Sequence, residues 1–354
     1  METIGIFVGP YSEYWDENTV AEGMGGSETW AIELGKQFVA RGYEVTVYAY
    51  PEENHDVIPN FHLVRFDEYL NNLKSLHFDY FIYSRLTSAI SPYVDCKNKY
   101  VMAHDTCLVP NQDTPYNIGI GSIKAYCALS DWHKENLLNL YKQCGINEYM
   151  IYQVTNGFST EYYTNIDLSV KENCMVWSSC VVRGFDQFYK WVVIPILLRY
   201  PDFKVYIATY GASPEEIKIL DNAKLLPGVE VLGKLSKEKL AEYQRKSKIW
   251  VYPGIFPETF CITAIENCAA GSVAIAPMSF GLATTLKGLP YIEATNLPIL
   301  SKDTANLYVN SICTILENDD IRLNCARQCI EFSKRYSWTR TADEFINLFN
   351  QTKQ

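Results

Sequence analysis

The sequence predicts an α/β protein made of two doubly wound domains, on three observations. Short apolar runs alternate with helical patterns from the N-terminus to about residue 276. The alternation runs twice and breaks once, near 157–172, where "NGFSTEYYTNIDLSVKEN" loses apolar periodicity. The length of 354 residues exceeds one ordinary core and suits two domains of about 150–180 residues.

The first array opens with the strand "IGIFVG" (4–9). A helix follows from about Ser27 to Arg41, with Ser27 as N-cap, Gly42 at its C-terminal cap and Trp30, Ile32, Leu34, Phe38 and Val39 at roughly helical spacing. Strands are expected at 44–50, 61–66, 79–84 and 99–103. "SDWHKENLLNLYKQCGI" predicts a capped helix and "YMIYQVTNG" a strand ending in a turn. In the second array, "CMVWSS", "FKVYIATYG", "VEVLG", "IWVYPG" and "SVAIAP" read as strands. Helices are expected in "DQFYKWVVIPILLRYP", with Pro195 kinking it, then over 213–225, over 236–247 and within "PETFCITAIENCAAG". Two successive βα arrays mean two Rossmann-like domains, expected at 1–165 and 166–335.

Composition bounds the function. Hydrophobic content of 48% and charged content of 20% are those of a globular protein, and no apolar run approaches a membrane span. The formal net charge of −10 disfavours nucleic acid and acidic membranes as partners. Residues 1–165 hold 10 Lys+Arg against 21 Asp+Glu, whereas residues 166–354 hold 21 against 20. An anionic ligand therefore meets less repulsion in the second half. Eleven scattered cysteines without zinc-ligand spacing, and an N-terminus unlike a signal peptide, point to reduced thiols and a cytoplasmic location.

Three motifs carry chemistry. "EGMGGSE" (22–28) is a glycine turn before a helix, where Gly25 and Gly26 leave main-chain amides open to a phosphate or sugar oxygen. It is not the dinucleotide fingerprint, because position 28 is glutamate. By itself it is equally well a surface loop. "VWSSCVVRGFDQF" (176–188) ends a strand at Ser178 and Ser179 and places Arg183 before a helix, where an arginine forks onto a diphosphate. A surface salt bridge is the plainer reading of that arginine. "PETFCITAIENCAAG" (257–271) puts Glu258 and Glu266 in an apolar helix start with no basic residue between them. Positions eight apart differ by about 80° in heading and about 12 Å in rise, so they do not form a metal pair. The spacing makes sense with Glu258 on the loop, Thr259 as N-cap, the amides of Phe260, Cys261 and Ile262 open to an anion, and Glu266 two turns in, accepting two ribose hydroxyls. Structural and capping roles for the same residues are the alternative. His104 follows the strand "KYVMA" and precedes Asp105, at the strand end that faces ligands in doubly wound folds.

The last segment closely resembles the E-x₇-E segment of retaining glycosyltransferases with the GT-B fold, family four. The similarity spans most of the chain. "GGSETWAIELGKQFVARGYEVTVYA", "AHD" (103–105), "ALSDWHKENLL", "VTNGFSTEYY", "WSSCVVRGFDQF", "LGKLSKEKLAEYQRKSKIWVYPG" and "YSWTRTADEFINLF" resemble that family's segments in order. Resemblance implies two domains facing across a cleft that closes during catalysis, with the 336–354 helix crossing back to the first. It implies a nucleotide diphosphate sugar donor (UDP- or GDP-sugar), a glycan or glycoprotein acceptor, and retention at the anomeric carbon. It gives catalytic roles to His104, Arg183 and Glu258. Donor contacts fall to Gly25, Gly26, Ser178, Ser179, Arg183, Glu258, Thr259, Phe260, Cys261, Ile262 and Glu266, with Asp105 on the acceptor side. Ser178 stands where the family commonly has arginine, and Arg183 where it has lysine. No D-x-D occurs, so metal independence is expected. Rival readings are an epimerase-like GT-B enzyme and an inactive glycan- or nucleotide-binding module. The acidic first half argues against an anionic lipid surface.

Overall fold

The computed structural model describes residues 1–10, 13–108, 123–289 and 297–353. The chain divides into two compact units, Met1–Gly157 with Tyr336–Gln354, and Phe158–Arg335.

The first unit contains β1 (Thr3–Phe7), α1 (Glu17–Ala21), α2 (Gly26–Val39), β2 (Glu44–Ala49), β3 (His55–Ile58) and β4 (Phe61–Arg65). There follow α3 (Phe66–Asn72), β5 (Tyr80–Ser84), β6 (Asn98–Met102), β7 (Ile123–Ala128), α4 (Asp131–Tyr141) and β8 (Ile151–Gln153). The eight strands lie in the order β3-β4-β2-β1-β5-β6-β7-β8. All pairs are parallel except β3 with β4. All five residues of β5 are buried, as expected of a central parallel strand covered on both faces. α2 begins at Gly26 and is capped by Gly25, not by Ser27. The Ser27 hydroxyl donates to its neighbour Glu28 at 2.9 Å, so it does not serve the helix end.

The second unit contains β9 (Glu172–Trp177), α5 (Phe185–Phe188), α6 (Ile194–Arg199), β10 (Lys204–Ala208), α7 (Pro214–Lys224), β11 (Val229–Gly233) and α8 (Lys237–Lys246). β12 (Ser247–Val251), α9 (Ile262–Ala269), β13 (Val273–Ile275), α10 (Leu282–Thr285), α11 (Lys302–Glu317) and α12 (Asp319–Ser333) complete it. Its sheet, β11-β10-β9-β12-β13, is parallel throughout. A π-turn, Tyr189–Val193, joins α5 to α6 just before Pro195. Widening the helix there accommodates a residue that has no N–H to donate.

The chain then returns to the first unit as α13 (Trp338–Thr352). Its buried Phe345 and Phe349 meet Trp30 and Phe38 of α2 at ring distances of 5.8–6.2 Å, and Phe349 stacks on Tyr80 at 4.3 Å. Each such phenylalanine contributes about 1.5–3 kcal/mol of burial. Thr155 donates its backbone N–H and its hydroxyl to Glu344, at 2.6 and 2.9 Å. A Cβ on Gly157 would lie 2.2 Å from the Trp338 nitrogen, so this crossing admits only glycine.

Candidate active site

In the second unit, the carboxyl ends of the parallel strands carry the candidate donor residues. β9 ends at Trp177, and Ser178, Ser179 and Arg183 follow on the turn before α5. β12 ends at Val251, and the segment from Tyr252 to Cys261 leads into α9. Tertiary folding brings two of these stretches into contact. Arg183 Nη1 donates to Glu258 Oε1 at 2.5 Å, and the Tyr252 hydroxyl donates to the same oxygen at 2.5 Å. The carboxylate is buried, and its cationic partner Arg183 lies 75 residues away in the chain. Glu258 Oε1 is thereby engaged twice, which leaves Oε2 to meet a ligand hydroxyl.

The surroundings hold this triad still. The Arg183 guanidinium lies over the Phe256 ring at 4.5 Å. Tyr252 stacks between Trp250 at 5.6 Å and Trp177 at 6.1 Å. Burial opposes the charge on Arg183, but Glu258 and the Tyr252 oxygen outweigh it and hold the guanidinium above its ordinary range. Burial and the Glu258 charge push the Tyr252 phenol well up, so it stays a donor.

The helix start differs from the sequence expectation. α9 begins at Ile262 with Cys261 as its N-cap, in a left-handed conformation at φ 79°. Thr259 is therefore not the cap. The Gly281 amide binds the Glu258 carbonyl at 2.8 Å, and the Thr285 hydroxyl binds the Phe260 carbonyl at 2.6 Å. These bonds fix the loop against α10, and the chain turns into the helix only at Cys261. A non-glycine residue at positive φ costs about 1–3 kcal/mol and is found where surrounding contacts over-determine it. A Cβ on Gly281 would lie 2.4 Å from the Thr259 carbonyl oxygen, so α10 can approach this loop only through glycine.

Glu266 lies on α9, partly buried. Burial raises its carboxyl, while Lys237 and Gln244 pull the other way. The half-buried Tyr163 hydroxyl donates to Gln244 at 2.6 Å, and Glu266 acts electrostatically on that phenol. The Ser178 and Thr209 hydroxyl oxygens, after the adjacent strands β9 and β10, are buried with no hydrogen-bond partner among the described residues. Buried hydroxyls normally find partners, so these two stand out beside the strand ends.

In the first unit, Gly25 and Gly26 open α2, and His104 and Asp105 follow β6. A Cβ on Gly25 would lie 2.6 Å from Glu28 Oε2. Arg85, at φ 67° after β5, draws this group together. Its Nε donates to Asp105 at 2.8 Å, and its Nη1 lies 3.4 Å from the Ser27 hydroxyl and 3.9 Å from buried Glu28. His104 packs edge-on to Trp30 at 5.1 Å. Burial, then Arg85 and His133, push its pKa down to about 3. The imidazole is neutral at neutral pH, suited to hydrogen bonding with a sugar hydroxyl and not to acid catalysis.

Tyr252, Thr209 and Arg85 belong to these constellations, yet sequence reasoning missed them. Each sits just past the carboxyl end of a strand, and that position is the signal that could have found it. Replacing Tyr252 by phenylalanine is expected to preserve the fold and, on the donor role implied by the resemblance, to lower kcat/KM for a sugar donor about tenfold. Affinity for the bare nucleoside diphosphate should hardly move, and calorimetry beside initial rates measures both.

Among the described residues one metal-ligand group converges, Asp16, Glu17 and His55, with donor atoms within 4.8 Å. Asp16 caps α1, and Glu17 pairs with His55 at 2.9 Å, so each carboxylate has a protein partner. No helix among the described residues is long and apolar enough to cross a membrane.

Residues 183–328 match the family described as glycosyl transferases group 1. An uncharacterized glycosyltransferase of Methanocaldococcus jannaschii is 28% identical over 139 residues, 39% of this chain and 38% of that protein. The matched stretch thus spans well under half of that curated relative. Sucrose-phosphate synthase from Thermosynechococcus elongatus superposes with a TM-score of 0.71 at 15% identity, covering 99% of both chains. Anabaena HepE, solved in complex with UDP and glucose, gives 0.68 at 14% identity over 99% of this chain and 100% of its own. The fold is that of the GT-B glycosyltransferases.

Proposed function

We propose, for a chain with the GT-B fold and a glycosyl transferases group 1 match over residues 183–328, that it moves a sugar from a nucleoside diphosphate sugar to a glycan-type acceptor. Transfer retains the anomeric configuration and needs no metal. The observation that supports this reading most is the buried Glu258 carboxylate, held on one oxygen by Arg183 and Tyr252 beside the start of α9. One group then faces sugar hydroxyls while the neighbouring cation meets the diphosphate.

Glu258 Oε2 orients the donor sugar. Arg183 and the first amides of α9 stabilise the charge that grows on the departing phosphate. Glu266 accepts the ribose hydroxyls, and the orphan hydroxyls of Ser178 and Thr209 bind donor oxygens. In same-face transfer, the bond from the anomeric carbon to the phosphate oxygen breaks as the acceptor oxygen bonds to that carbon. The acceptor proton passes to the departing phosphate. Within the first unit, neutral His104 and the amides after Gly25 offer hydrogen-bonding groups to sugar hydroxyls, with Asp105 on the acceptor side.

The donor is a UDP- or GDP-sugar; HepE, of the same fold, binds UDP and glucose. The net charge of −11 over residues 1–165 favours a soluble or protein-linked glycan acceptor over an anionic lipid surface, and eleven scattered cysteines without zinc-ligand spacing favour a cytoplasmic location. A thermal-shift panel of UDP- and GDP-sugars tests the reading, because a ligand of the folded state raises Tm. One donor should raise it and be slowly hydrolysed. A panel with no shift and no hydrolysis overturns the proposal, and a shift without hydrolysis or transfer leaves only a binding module.

Turnover should also survive excess chelator, since Arg183 and helix amides supply the positive charge. Loss of activity in chelator that Mg²⁺ or Mn²⁺ restores would refute metal independence.

A further inference from the structure

Tyr14 and Tyr50 take no part in the chemistry assigned above. Tyr14 follows β1, Tyr50 directly follows β2, and Arg65 is the last residue of β4. These strands are neighbours in the order β4-β2-β1, and parallel, so the three residues gather at one carboxyl edge of the sheet. Ligands of open parallel sheets enter at that edge.

The two rings pack against each other at a tilt, their centroids 4.6 Å apart and their planes at 49°. The Arg65 guanidinium carbon lies 5.8 Å from the Tyr14 centroid and 5.6 Å from that of Tyr50. Arg65 also donates twice to Asp67, each bond 3.2 Å, and to the Pro51 carbonyl at 3.3 Å. The Trp15 amide donates to the Tyr50 carbonyl at 2.9 Å and ties the segment after β1 to the end of β2. Tyr14 is nevertheless 47% exposed. Its ring is both held and wet, so a ligand need not order it.

A neutral sugar ring suits this surface. A hexopyranose with equatorial hydroxyls presents a face of axial C–H bonds, weakly positive, to the negative face of an aromatic ring. Its edge hydroxyls need an acceptor. Asp67, its side chain 46% exposed, keeps lone pairs after accepting from Arg65. Arg65 and Asp67 cancel in charge within an acidic half of the chain, which disfavours anionic sugars. We propose that Tyr14, Tyr50, Arg65 and Asp67 form a stacking subsite for a neutral hexopyranose of the acceptor glycan. This rests on the glycan-acceptor reading above.

Saturation-transfer NMR on the full chain tests it, with the methyl β-glycosides of glucose, galactose and N-acetylglucosamine as probes. At least one should receive saturation on its axial C–H protons. Tyr14→Ala should cut that signal about fivefold or more, and Tyr14→Phe should keep it. Asp67→Asn should weaken it without touching the rings, and Arg183→Ala should leave it unchanged. A panel without signal, or an undiminished signal in Tyr14→Ala, overturns the subsite. Failure of the nucleotide-sugar panel with the glycoside signal intact would sink the donor reading alone.

Discussion

Arg183→Ala is expected to lower turnover by about 10²–10³-fold, the usual effect of losing a group aimed at transition-state charge. The same change removes one of two donors to a buried carboxylate. Glu258 would keep only the Tyr252 hydroxyl on its Oε1. Breaking one side of a fully buried pair costs about 3–5 kcal/mol. Arg183 is one-third exposed and Tyr252 remains, so the loss here should be about 1–3 kcal/mol. The double variant Arg183→Ala/Glu258→Gln separates the two effects, because a neutral amide needs no cation. It should melt above the single variant and stay inactive. Full turnover in Arg183→Ala would remove the charge-stabilising role. A double variant no more stable than the single would remove the ion pair as a structural element.

Glu266→Ala is expected to weaken nucleotide binding by about 30–100-fold, the worth of hydrogen bonds from two hydroxyls to one ionised carboxylate. The stability effect has the opposite sign. Burial raises the folded-state pKa of Glu266 above its ordinary value of 4.5. The folded chain then holds this proton more tightly than the unfolded chain. Stability therefore falls as pH rises from 4.5 through the raised pKa, and the full penalty persists above it. Glu266→Gln should accordingly melt higher than the parent at pH 8, and the gain should vanish towards pH 4. Nucleotide affinity of the parent should fall as pH drops through the raised pKa, because the protonated acid accepts less well. Melting curves and calorimetry at several pH values check both. Unchanged affinity in Glu266→Ala would end the ribose assignment.

The elements most legible in the sequence are those whose signal is local. β1, β2 and the strands of the second sheet are short apolar runs, and α2 carries its apolar residues at helical spacing. Weak and short elements go unread, and so do the strand β7 and two long helices, α11 and α12, of 16 and 15 residues. β3 is a four-residue strand with no fully buried position, and α1 is a five-residue helix whose cap, Asp16, lies in an unremarkable acidic stretch. The two helix starts differ from expectation for one reason: a hydroxyl beside a helix need not cap it. Ser27 donates to Glu28, and the loop holding Thr259 is tied to α10 by contacts more than 20 residues away.

By itself, the sequence determined the two βα arrays, the glycine turn at Gly25–Gly26, the position of Arg183 before a helix, and the eight-residue spacing of Glu258 and Glu266. Apolar periodicity, turn chemistry and motif spacing act over a few residues and need no fold to be read. Only the tertiary structure decided what those groups touch. It gave Glu258 its partners Arg183 and Tyr252, set Arg85 between Asp105 and Ser27, and laid α13 on Trp30 and Phe38 of the first unit. Strand order brings distant strand ends to one edge of a sheet, and burial makes their charges depend on each other. Neither is encoded within a window of neighbouring residues.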